Sequence, residues 1–216
     1  VVGLGELDCR VRVIHPGGGE IAIVSPGLPS SSASQTFEYL PTAAVHDNWY
    51  EVGDFGLRKD LPSRANMEAG FDRVWFARMK ATSKNLWTPQ DTSNDWLKII
   101  LSTGFLGLEC ADNRLAPLVM TAVRCWEFDE AKDQLCNGTT MQSLNNDSAK
   151  KIGFCIPTDQ RTLDTLSTEL RSNLLMERGL MSQIRALSEM RDSLLPELLS
   201  GRLRMRDAEK VVEEVV

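Results

Sequence analysis

The chain has 216 residues, a formal net charge of −6 and 42% hydrophobic residues. This length suits one domain with an appendage or two small domains, and the apolar content is enough for a packed core. The negative charge argues against a protein that coats nucleic acid without sequence preference. No apolar run reaches the ~18 residues that predict a membrane-spanning helix.

The first third of the sequence reads as short strands joined by turns. Residues 1–24 alternate loosely around the Pro-Gly-Gly-Gly segment 16–19, which predicts a hairpin. A loop rich in Ser, Pro and Gly covers 26–34, and a short strand is predicted over 37–45. A turn at 47–48 follows.

The middle of the sequence mixes strands with one helix. Residues 73–79 alternate as a buried strand does, with Trp75 and Phe76 as core side chains and Met79 on the core side as well. Stacking on DNA bases is the alternative for these three residues. Two more strands are predicted on either side of a turn at 102–104, a helix comes next, and a last strand precedes Pro157. These four elements are predicted over 96–101, 105–108, 117–135 and 151–156.

A long amphipathic helix is predicted after Pro157, with Thr158 or Asp159 as its N-cap. It would run to Leu194, about 35 residues and roughly 50 Å. Because a small domain cannot cover that length, the helix needs a partner helix, which predicts a symmetric homodimer. An arm folded back on its own domain is the alternative. The apolar stripe assigned to dimerisation comprises Leu163, Leu166, Leu170, Leu174, Met181, Ile184 and Leu187.

The organisation that follows is an α+β domain over residues 1–157, a coiled-coil-like helix over 158–205 and a flexible tail over 206–216. Pro196 is expected to kink the helix, and Gly201 to end it in the left-handed conformation.

Catalytic and metal-binding signatures are absent from the sequence. The five cysteines are widely spaced and contain no C-x-x-C, so reduced thiols in a cytoplasmic protein are expected rather than disulfides or zinc. No phosphate-binding loop, dinucleotide fingerprint or G-x-S-x-G motif occurs. His15 and His46 read as surface or turn residues, so the chain is expected not to be an enzyme.

Basic residues concentrate between Leu57 and Asn85, which predicts a local basic face on an acidic protein. Arginine and lysine hold phosphates, and glutamine can read the N6/N7 edge of adenine. A solvated charged face, and a structural role for the turn that carries the glutamine, are the alternatives. The candidate DNA contacts are Arg58, Lys59, Arg64, Arg78, Lys80, Lys84 and Gln142.

Several segments, taken in order, resemble one protein family. They include the Val-Trp-Phe-Ala-Arg-Met-Lys-Ala-Thr strand and the Asn-Gly-Thr-Thr-Met-Gln turn, and they comprise residues 39–44, 61–66, 74–82, 101–105, 135–146 and 190–204. Their order and spacing are similar to those of the specificity subunit of type I restriction–modification systems. Phe71 stands where the family pattern has glycine in a Gly-Asp pair, and residues 1–35 match poorly.

The resemblance implies a non-catalytic role in double-stranded DNA recognition. In that family each target-recognition domain reads one half of a split site, and the helices pair as a spacer. Modification subunits dock and carry the methyltransferase chemistry with S-adenosylmethionine, so no cofactor is expected in this chain, and restriction subunits join afterwards. A full-length member has two such domains and two helices, whereas this chain has one of each.

A function from another class stays open. The acidic net charge also suits a helix-mediated scaffold or assembly protein without DNA binding, and a fragment of an uncharacterised enzyme is a weaker possibility.

Overall fold

The computed structural model describes residues 11–27, 35–90, 96–139 and 141–202. It confirms the predicted α+β class. The chain divides into two compact units, Val1–Leu174 and Leu175–Val216. The described residues form ten strands: β1 (Val11–Ile14), β2 (Ile21–Ile23), β3 (Thr36–Leu40), β4 (Asp54–Leu57), β5 (Ala65–Glu68), β6 (Arg73–Ala77), β7 (Asn85–Thr88), β8 (Ile99–Ser102), β9 (Phe105–Cys110) and β10 (Phe154–Pro157).

Three sheets hold these strands. One is the pair β1–β10, one is antiparallel with the order β2-β9-β6-β7, and one is mixed with the order β4-β3-β8-β5. In the mixed sheet β3 runs parallel to β8, while β4 and β5 are antiparallel to their neighbours. The helices are α1 (Leu115–Val123), α2 (Trp126–Leu135), α3 (Asn146–Ala149) and α4 (Gln160–Leu199), with short 3-10 turns at Arg58–Asp60 and Trp96–Lys98.

The predicted hairpin around residues 16–19 is wrong. A turn is present, since Gly17 N donates to Ile21 O at 2.8 Å. The strands on either side nevertheless separate, because β1 pairs with β10 and β2 pairs with β9. β8 and β9 also lie in different sheets, although only residues 103–104 separate them. Local alternation predicts strands but not their partners.

Trp75 fills the centre of the antiparallel sheet, and the predicted core position of Trp75 and Phe76 is confirmed. Its indole N–H donates to Ala69 O at 3.0 Å. Gly107 lies opposite it on β9, and a Cβ there would stand 2.6 Å from the indole ring. The prediction for Met79 is wrong: it is 39% exposed, because β6 ends at Ala77 and the chain then leaves the sheet.

The single helix predicted over residues 117–135 is two helices. Cys125 is extended between α1 and α2, and its carbonyl accepts the first amide bonds of α2, from Phe128 and Asp129. Arg124, at the end of α1, pairs with Asp47 at 2.7 Å. Apolar spacing continues through both helices, so periodicity alone did not show the break.

The 40 residues of α4 make a helix of about 60 Å. Asp159 is its N-cap, as predicted: Oδ2 accepts from Thr162 N at 2.8 Å. The helix continues through Pro196 to Leu199, and Gly201 has the predicted left-handed conformation with a φ of 72°. None of the helices in the described part of the chain combines the length and apolar character of a membrane span.

The beginning of α4 belongs to the α+β unit. Leu163 and Leu174 are buried there, so they lie inside their own domain rather than on a surface for a second helix. Asn48, which is 1% exposed, donates to Leu174 O at 3.3 Å and accepts from Trp87 N at 3.4 Å. Arg171 lies over the Trp87 ring, 5.0 Å from its centroid.

Further along the predicted stripe, burial decreases. Leu166, Leu170 and Met181 are half-buried, whereas Ile184 and Leu187 are exposed. The alternative prediction, a helix folded back on its own domain, therefore applies to the first part of α4. The dimer contact stays a prediction, and it now rests on Met181, Ile184 and Leu187.

Candidate nucleic-acid interface

Arg78 is directed into the protein and not towards solvent. Its Nε donates to Phe105 O at 2.8 Å, and Nη1 donates to Asn146 Oδ1 at 2.8 Å and to Leu144 O at 3.3 Å. Burial lowers the pKa of Arg78 from its ordinary value. The guanidinium joins β9 to residues 144–146 through Nε and Nη1, so Arg78 has a structural role. Its DNA contact stays a prediction, and the structure adds this structural role.

The segment held by Arg78 includes a short loop between Asn137 and Ser143, of which the structure describes residues 138–139 and 141–142. Asn137 and Ser143 exchange backbone hydrogen bonds of 3.1 and 3.0 Å at its base. Gly138 has a φ of 126°, and a Cβ there would lie 2.6 Å from Met141 O, so the turn requires glycine. Met141 and Gln142 are exposed at its tip. The loop therefore has a fixed base and an exposed tip.

Backbone hydrogen bonds place Lys80 and Arg64 near this loop. Lys80 N donates to Gln142 O at 3.0 Å, and Arg78 N donates to Gly104 O at 2.8 Å. Thr103 N, in turn, donates to Arg64 O at 2.8 Å. Segments that are far apart in sequence thus meet at one end of the α+β unit. We call Arg64, Lys80 and Gln142 the basic end.

The side chains of the basic end are available to a partner. All three are exposed, and within the described residues none makes a hydrogen bond or ion pair through its side chain. Two cations and one amide, brought together from three segments, can contact phosphates and a base edge.

Arg58 and Lys59 lie at the other end of the mixed sheet. They follow Leu57, which pairs with Thr36 at the start of β3. Arg64 precedes Ala65, which pairs with Ser102 at the end of β8. Because β3 and β8 are parallel, the start of one and the end of the other are at opposite ends of the sheet. The basic cluster of the sequence is therefore divided in space.

Lys84 is committed to its own chain. Its Nζ donates to Ala43 O at 2.9 Å, and the residue is half-buried. Its DNA contact stays a prediction.

Sequence reasoning missed Lys132, which fixes the turn after Lys80. Its side chain is 1% exposed, and Nζ donates to Thr82 O at 2.6 Å and to Asp129 Oδ1 at 3.0 Å. Asp133 accepts from Ala81 N at 3.0 Å. These bonds hold Ala81 in the left-handed region, with a φ of 55°. The spacing of Lys132 from Asp129, which lies three residues earlier, was the available signal.

The search of family models gave no match to the chain, and neither did the search of curated proteins. Solved structures do match. A structure of a type I R-M system, described in terms of complex assembly and conformational transition, aligns with a TM-score of 0.54 and 20% identity, over 87% of this chain and 46% of that one.

Two specificity subunits also match. The HsdS subunit from Thermoanaerobacter tengcongensis aligns with a TM-score of 0.56 and 19% identity, over 88% of this chain and 47% of that one. The S subunit of the type I restriction–modification system of M. genitalium aligns with a TM-score of 0.57 and 11% identity, over 91% and 48%. The chain thus has the fold of type I specificity subunits, as the resemblance predicted, and spans about half the length of each.

Proposed function

We propose that this chain is the specificity component, or half of it, of a type I restriction–modification complex, and that it recognises one half of a split site in double-stranded DNA. The observation that carries the proposal is the likeness to HsdS structures over about nine-tenths of the chain. The family-like segments around Arg78 and Gln142, which are distant in sequence, also meet in the structure.

In this proposal the basic end approaches DNA. Arg64 and Lys80 supply phosphate contacts, and Gln142 reaches the base edges. Arg58 and Lys59 lie at the other end of the sheet, so they do not serve the same surface. The few available cations, on a chain with a net charge of −6, give the isolated protein weak affinity for random duplex.

The other partners follow from the same proposal. The exposed apolar residues of α4 pair with a second helix, from another copy or another half, which sets the spacing of two half-sites. Modification subunits bind S-adenosylmethionine and perform the methylation, and restriction subunits join that assembly. The chain itself is non-catalytic and binds no cofactor.

The test is methylation in cells. The chain is expressed with the modification subunits of its own host in a strain that lacks DNA methylation, and methylated bases are mapped by long-read sequencing. We expect one recurring interrupted motif that requires both components. A symmetric motif is expected if two copies of this chain assemble, because each copy reads the same half-site.

The scaffold alternative gives a different result. A chain that copurifies with modification subunits but yields no methylated motif would act in assembly without reading DNA. A chain that neither binds those subunits nor directs methylation would contradict the whole proposal.

A further inference from the structure

Two exposed methionines lie next to residues of the basic end in the sequence, and packing within the chain does not explain them. Met141, between Asn137 and Ser143, is 68% exposed, and Met79 is 39% exposed in the neighbouring segment. An antiparallel bridge joins Met79 to Ser143, so the two methionine segments are side by side. A flexible, exposed methionine can adapt its shape and adds apolar contact area for a partner that binds the basic end.

The chemistry around these methionines indicates what covers them. Gln142 directly follows Met141, and Lys80 directly follows Met79. The Lys80 side chain has no hydrogen bond or ion pair in the described part of the chain, and the same holds for Gln142. A cation, an amide and an apolar tip together match the major groove at an A·T pair, which offers phosphates, the adenine N6/N7 edge and the thymine C5-methyl group.

The base of the loop makes such a contact possible. Asn137 and Ser143 close it by two backbone bonds, and Arg78 fixes the segment just after it through Leu144 and Asn146. Because Gln142 O also accepts from Lys80 N, Gln142 loses less conformational freedom when it enters a groove, which helps its side chain to discriminate between bases.

We propose that Met141 contacts the C5-methyl group of a thymine in the half-site, while Gln142 binds an adenine of the same or the adjoining base pair. The inference rests on the proposed function and makes it specific: the half-site contains an A·T pair that is recognised in the major groove by this loop.

The test uses the assembled complex of the full chain with its modification subunits, on duplexes that carry the methylated motif. Each thymidine is replaced in turn by deoxyuridine, which lacks only the C5-methyl group. We expect one position in the half-site where deoxyuridine weakens binding about fourfold, the value for burying one methyl group. Met141→Ala should bring this ratio to about 1.

Two variants serve as controls. Gln142→Ala should keep the thymidine-to-deoxyuridine ratio but lower the preference for A·T about tenfold. Met176→Ala removes an equally exposed methionine from α4, and should change neither quantity. If the loop had only a structural role, Met141→Ala and Gln142→Ala would alter overall affinity. They would change neither the thymidine-to-deoxyuridine ratio nor the preference for A·T.

The inference is overturned if the motif has no A·T pair, if no thymidine is distinguished from deoxyuridine, or if the ratio survives in Met141→Ala. These results differ from failure of the proposed function, in which the wild-type chain directs no methylated motif at all.

Discussion

The two parts of α4 have the same apolar spacing but differ in what covers it. Leu174, in the first part, is 4% exposed, whereas Leu187, in the second, is 51% exposed. The covered part is also held by polar contacts, through Asn48 and through Arg171 with Asp72 and Trp87. The spacing of apolar residues therefore identifies the apolar face of a helix. The polar contacts beside that face show which part of it is buried by the chain's own domain.

The same difference separates Arg78 from Lys80. The Arg78 side chain makes three hydrogen bonds inside the domain, and Lys80 is exposed at its surface. Side chains that hydrogen-bond within the chain should contribute to folding stability. Exposed side chains should contribute to partner binding.

The largest effect is expected from matched truncations in α4. Leu174→Ala should lower the free energy of unfolding by about 2–5 kcal/mol, because it leaves a cavity in the core. Leu187→Ala should change it by less than about 0.5 kcal/mol under dilute conditions in which the chain is monomeric. Chemical denaturation of both variants measures the difference. Equal losses at high dilution would mean that the chain itself covers Leu187, and the comparison would fail.

A smaller effect is expected for the two basic residues. Arg78→Met should cost about 2–3 kcal/mol, since it leaves Phe105 O and Leu144 O with one partner fewer, while Lys80→Met should be nearly neutral. In methylation assays with folded protein the order of the two variants should reverse. Relative to the stability that each variant loses, Lys80→Met should lower methylation activity more than Arg78→Met. Thermal unfolding and methylation of the same preparations test both statements. A stable Arg78→Met variant would remove the structural role assigned to this residue.

The smallest effect involves the ion pairs that join the start of α4 to its own domain. Arg114 donates to Asp112 and to Asp164 at 2.6 Å, and holds the pKa of Asp112 below its ordinary value. A carboxyl whose pKa is lower in the folded state stabilises the folded protein at any pH above its unfolded-state pKa. This stabilisation is lost as the pH falls through the folded-state pKa.

Asp112→Asn should therefore cost less than about 1 kcal/mol at pH 7, because the pair is partly exposed. The difference from wild type should disappear in acid. Unfolding measured from pH 7 down to about pH 2 tests this. A difference that stays constant over that range would indicate packing and not charge.

Sequence alone predicted much of the fold but little of the site. Trp75 as a core residue, the Asp159 cap and the left-handed Gly201 follow from local chemistry, and each is confirmed. Met79 was misplaced because strand alternation holds only while the strand lasts, and β6 ends two residues earlier. The structural bonds of Arg78 could not be predicted, because its partners, such as Asn146, are distant in sequence and local pattern contains no information about them.

The central claim is that the basic end contacts DNA, and matched charge reversals test it most directly. Arg64→Glu with Lys80→Glu changes the net charge as much as Arg58→Glu with Lys59→Glu at the other end of the sheet. Binding of each assembled complex to its cognate duplex is measured as a function of salt. The account predicts that the first pair weakens binding and reduces the slope of log K against log salt by about 2, while the second leaves the slope unchanged. A reduced slope for the second pair, with the first unchanged, would contradict it.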